Sequence, residues 1–115
     1  MAYVNELTDA DCLAFDGYVQ KWQRLLNLSD WRIERADKRT KRAMAEVTFD
    51  KPARLATYRI GTSFGACQVT PDSLERTALH ELLHVLLHDA LEDPNDSTEH
   101  RVINVLEKLL MERHR

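Results

Sequence analysis

The chain has 115 residues, 43% of them hydrophobic and 30% charged, a composition near the globular average and away from disordered, collagen-like or membrane proteins. Sixteen Lys and Arg against nineteen Asp and Glu leave a formal charge of −3, which makes no global electrostatic case for binding nucleic acid or an anionic membrane. The length suits one domain over residues 1–115, and with neither a signal-peptide pattern nor an apolar run of about 18 residues, a cytoplasmic protein is expected.

The charge is unevenly spread: residues 32–59 carry nine basic and four acidic groups, net +5, and residues 60–115 carry five and ten, net −5. Arg32, Arg35, Lys38, Arg39, Lys41 and Arg42 read as a solvated basic turn of a hairpin, with a docking surface for an acidic partner as the alternative. Cys12 and Cys67 are too far apart for a disulfide framework and too few for a thiolate metal site, so both are expected as small buried side chains.

In chain order, Thr8 can cap a first helix over about 8–27, with Ala10, Leu13, Ala14, Val19, Trp22, Leu25 and Leu26 at spacings of three and four. Alternation from Trp31 to Arg35 predicts a strand over about 31–36, and Met44–Asp50 and Leu55–Ile60 predict two more around Lys51-Pro52, together an antiparallel meander. Ala66–Val69 is a candidate fourth, edge strand. Pro71 in a first turn, with Asp72 three before Glu75 in a capping-box arrangement, starts a long helix that is apolar almost all round from Leu79 to Leu91 and should be central. Asp93-Pro94-Asn95-Asp96 breaks the chain. Ser97 can cap a last helix over about 98–113, with Val102, Ile103, Val105, Leu106, Leu109 and Leu110 as its apolar face. The expected class is α+β, with a small antiparallel or mixed sheet of three to four strands.

Within the most apolar helix lies His80-Glu81-Leu82-Leu83-His84, an H-E-x-x-H motif. Residues i and i+4 share a helical face about 6 Å apart along the axis, so both imidazoles can reach one zinc ion at about 2.0–2.1 Å. Glu81 can lie beside the metal without binding it and take a proton from its water. Shuffling five His and nine Glu through a chain of this length yields the pattern with a frequency of roughly 1–2%, so the motif is informative. Burying two His and a Glu among aliphatic residues also demands partners or a metal.

A hydrolytic zinc takes three protein ligands and keeps one open position. His88 lies one turn too far along a straight helix, and the pattern that returns a third His needs Gly where this chain has Leu87. Glu99 and His100 follow His84 by 15 and 16 residues, the span of a turn and a returning helix. Glu99 falls on the inward stripe, three and four before Val102 and Ile103, and is the preferred third ligand. His100, on the flank in line with Asn104, is the alternative ligand or a group for the substrate, and Asn104 is a candidate behind the ligands.

These residues resemble the zincin metallopeptidases, and the His80, His84, Glu99 set resembles their gluzincin branch. Over about residues 70–110 the chain is similar to small phage- or prophage-encoded metallopeptidases, in which a short sheet precedes an H-E-L-L-H helix and a helix like Glu99-His100-Arg101-Val102-Ile103-Asn104 closes the site. It also resembles the ImmA/IrrE-type regulatory peptidases in Leu87-His88 after the motif. The resemblance implies a minimal zincin fold and carries over His80 and His84 as ligands and Glu81 as base. The oxyanion-stabilising group has no motif here; His100, Tyr58 and Arg101 are the candidates. Substrate would add as a strand at the sheet edge, along Leu55–Ile60 or Ala66–Val69. The expected activity is zinc-dependent hydrolysis of a polypeptide substrate. The alternative is a zinc-stabilised regulatory or protein-binding module with little or no catalysis, which would have no need of Glu81.

Overall fold

Thr8 opens the first helix by a reciprocal pair: its hydroxyl accepts from the Asp11 amide, and its own amide donates to the Asp11 carboxylate. In the computed structural model, which describes residues 5–90 and 96–114 apart from the side chains of 90 and 96–98, this helix is α1, Asp9–Leu25. It stops two residues before the expected end because Asn27 turns left-handed, with φ 58°, a conformation Asn tolerates. The Gln23 side chain then binds the Leu28 and Trp31 carbonyls, so the connection folds back with Leu28 and Trp31 buried.

Three strands follow, β1 (Arg32–Arg35), β2 (Ala45–Asp50) and β3 (Leu55–Ile60). They do not form the expected meander. The order is β1-β3-β2, with β1 parallel and β2 antiparallel to β3, so the sheet is mixed. The segment 36–44 is too long and too anchored for a hairpin turn. Arg39 reaches back to the carbonyls of Leu7, Ile60 and Gly61, Thr40 pairs with Gly61, and the chain therefore returns on the far side of β3. Gly61 is required there, since a Cβ would stand 2.4 Å from the Ala43 carbonyl oxygen. Among the described residues 66–69 form no strand; Ser73 binds the Gln68 carbonyl and the segment serves as the approach to the next helix. The two sheet edges are β1 and β2, and Leu55–Ile60, expected as a substrate-binding edge, is the interior strand.

The basic turn is also largely committed. Arg35 pairs with Asp16, Arg32 with Glu34 and Arg42 with Glu46, and Arg39 is consumed by carbonyls. Cys12 is buried as expected, whereas Cys67 is exposed.

Helix α2 (Pro71–Ala90) begins with Pro at its first position, so the capping residue must be Thr70 and its third residue Ser73. These two exchange bonds, Ser73 amide to Thr70 hydroxyl at 3.0 Å and Thr70 amide to Ser73 hydroxyl at 2.9 Å, in place of the expected Asp72/Glu75 pair. Glu75 instead accepts from the Trp22 indole at 2.7 Å and from Lys21 at 2.6 Å, clamping α2 to α1. Leu74, Ala78, Leu79, Leu82, Leu83 and Val85 are buried, and α2 contacts α1, β2 and α3. At its C-terminal end, Arg54 bonds Asp89 and Asp30 and lies over the Trp31 ring at 4.7 Å, tying the β2–β3 turn to the helix.

Helix α3 (Asp96–Arg113) starts two residues ahead of the expected boundary, so Ser97 lies inside it; the proposed break at residues 93–95 falls outside the described residues. It packs as a single stripe on α2. Glu99, Ile103 and Met111 are buried, with Leu106 and Leu110 partly so, but Val102, Val105 and Leu109 are exposed. The last three were expected inside, and the narrower stripe follows from α3 having one main neighbour. No helix among the described residues is long and apolar enough to cross a membrane.

Candidate metal centre

The site forms where α2 faces α3 beneath the edge strand β2. One helical turn separates His80 from His84, and α3 returns antiparallel to bring His100 opposite them. The donor atoms of His80, His84 and His100 all lie within 4.8 Å of one another. Ring centroids are 5.0 Å apart for His80–His84, 5.8 Å for His80–His100 and 4.7 Å for His84–His100.

Two carboxylates stand behind these rings. His84 Nδ1 lies 2.6 Å from Glu99 Oε1, and His80 Nδ1 lies 2.9 Å from Glu107 Oε2. A carboxylate only accepts, so Nδ1 donates in each pair and Nε2 is left with its lone pair for a ligand role. Glu99 is brought to the site and buried, as its position on the inward stripe implied, but its carboxylate is turned to the back of His84, and the group that converges with the two motif histidines is His100. Glu107 was not singled out from the sequence. Its signal was there: it lies two turns after His100 and so on nearly the same helical face.

The hydrogen bond that His80 donates to Glu107 raises the His80 pKa, with burial opposing it. Burial lowers that of His84, with the Glu99 bond opposing. Glu81 is only 8% exposed, and burial pushes its carboxyl up to about 7, against the attraction of His80. A carboxyl at that value exchanges protons readily near neutral pH.

Glu81, the three imidazoles and Glu99 line a cavity of about 520 Å³ whose wall includes Ala45, Val47 and Phe49 of β2. The side chain of His88 stays out of the triad, stacked on Phe49 at 4.5 Å, and also lines this cavity. Asn104 lines a second cavity of about 360 Å³ that shares Ala45, His80 and Glu81 with the first. Tyr58 lines neither cavity: it sits buried in the interior strand and donates to Asp16 at 2.6 Å, and burial with that bond raises its pKa well above the ordinary value. It is therefore set aside as an oxyanion donor. Arg101 is exposed and lines neither cavity.

The three donors fit a borderline ion of tetrahedral preference. Were an ion such as zinc bound here, His80, His84 and His100 would be the side chains to hold it, each through one ring nitrogen. No protein-family model, curated protein or solved structure matches the chain.

Proposed function

We propose that the protein is a zinc-dependent peptidase of zincin type, with His80, His84 and His100 holding the ion and Glu81 as general base. The observation that carries this reading is Glu81: a buried carboxylate beside three convergent imidazoles, which a purely structural site would not need. Bound zinc supplies Lewis acidity, polarising a carbonyl and acidifying water. Glu81 takes the proton of the attacking water and delivers it to the departing amine, a role that its buried place in the wall of the same cavity as the imidazoles supports. Glu107 and Glu99 fix the tautomer and orientation of His80 and His84; in this reading Glu99 supports a ligand rather than being one. β2 is an edge strand whose side chains line the cavity, and an extended polypeptide paired along its open edge would run beside the site.

The test is metal analysis of the purified protein and of a Glu81→Gln variant, each assayed on an unfolded protein substrate. The expected result is one zinc per chain in both and activity reduced about 10²–10⁴-fold in the variant. Equal activity in the two overturns the reading. Zinc in both with no activity in either transfers the site to a zinc-stabilised binding module, and absence of metal removes both.

A further inference from the structure

The four-residue spacing that joins His80 to His84 continues along α2 to His88 in one direction and to Arg76 in the other. Such a row slants slowly round a helix, and here it passes from one cavity to the next. Arg76 lines the smaller cavity, His80 lines both, and His84 and His88 line the larger. Among the described residues, Arg76 is the only Lys or Arg lining either cavity.

Arg76 is also weakly held. Asp72 is 3.7 Å away, and the two side chains are 47% and 44% exposed, a kind of pair that contributes little. Arg39 and Arg54, by contrast, are spent on carbonyls and on two aspartates. A planar guanidinium with donors to spare is a receptor for a carboxylate. Glu81 and Glu107 line the same cavity and would repel an anion, and Arg76 is the one permanently cationic side chain there to offset them. One helical turn of about 6 Å from His80 spans about two residues of an extended peptide.

We propose that Arg76 is a specificity-determining residue that binds a substrate carboxylate within about two residues of the scissile bond. The carboxylate belongs either to an Asp or Glu side chain or to the C-terminus of the substrate. The inference rests on the peptidase reading above, and it deepens that reading by naming the substrate's charge.

The test is calorimetric binding of acetylated hexa-alanine probes to the zinc-loaded Glu81→Gln protein, which holds peptide without cleaving it. One probe carries a central Glu and an amide end, a second Gln in its place, a third Lys, and a fourth is all Ala with a free C-terminal carboxylate beside its amide counterpart. The Glu probe or the acid-ended probe should bind about tenfold tighter than its neutral counterpart, and which of them does so identifies the source. Adding Arg76→Gln should bring that ratio to about one, and adding Arg76→Glu should turn the preference toward the Lys probe. A ratio unchanged by Arg76→Gln, no preference in the parent, or no binding of any probe overturns the proposal. Failure of the peptidase reading is seen separately, as absent metal or unaffected cleavage in the Glu81→Gln comparison.

Discussion

The two sides of α2 are built on different principles. Toward α1, the helix joins Phe15, Val19 and Trp22 in one apolar cluster, and a polar clamp, Glu75 on Trp22 and Lys21, fixes the register. Toward α3 it presents histidines and a carboxylate, and α3 answers with His100, Glu99 and Glu107 while leaving Val102, Val105 and Leu109 in solvent. The first interface is stabilised by burial and needs nothing further. The second contains groups that are costly to bury unless they are paired or hold a metal, so its strength should depend on what occupies the site.

The difference can be broken first on the apolar side. Trp22 is fully buried, and Trp22→Ala should cost about 3–5 kcal/mol in denaturant unfolding, equally with and without zinc. Zinc itself should act on the other side. At 100 to 1,000 times its Kd it should add about 3–4 kcal/mol, and amide hydrogen exchange should show the gain concentrated in α3 rather than in α1; uniform protection of both helices would dissolve the distinction.

The buried carboxylate sharpens it further. Because the Glu81 carboxyl is raised to about 7 in the fold, the unfolded chain ionises first, and its stabilising effect is present below about pH 4.5 and lost as pH rises through about 7. Metal-free Glu81→Gln protein should lack this loss and gain up to about 3 kcal/mol over the parent between pH 5 and 8, read from paired urea titrations. The smallest effect is at the back of the ligands, where Glu107→Gln should weaken zinc binding about 10- to 100-fold with little change in metal-free stability, measured by competition with a chelating dye.

The motif and the helices that carry it were legible because H-E-x-x-H needs only the local geometry of one helix and capping at Thr8 is chemistry within one turn, whereas at Pro71 the helix start was legible but the capping pair is Thr70 and Ser73 rather than Asp72 and Glu75. The burial of Glu99 was legible from its stripe, but its partner was not: whether a carboxylate points at a metal or at the back of an imidazole is decided by the separation of α2 and α3, which spacing along the chain does not contain. Glu107 shares the helical face of His100, which spacing does show, but its bond to a residue 27 positions earlier is again a matter of how the helices meet. Strand order was lost because alternation marks strands without ranking neighbours. The deciding contact, Arg39 on the carbonyls at the end of β3, is made by a residue whose composition suggested a solvated turn.

That same corner governs the wall of the site. Gly61 donates to the Met44 carbonyl at 2.8 Å, immediately before Ala45, which borders both cavities. The approach of that backbone to residue 61 is allowed by the absence of an atom. A wall common to both cavities is thus positioned from a residue that lines neither, and a methyl group at residue 61 would press directly on the backbone that leads into it.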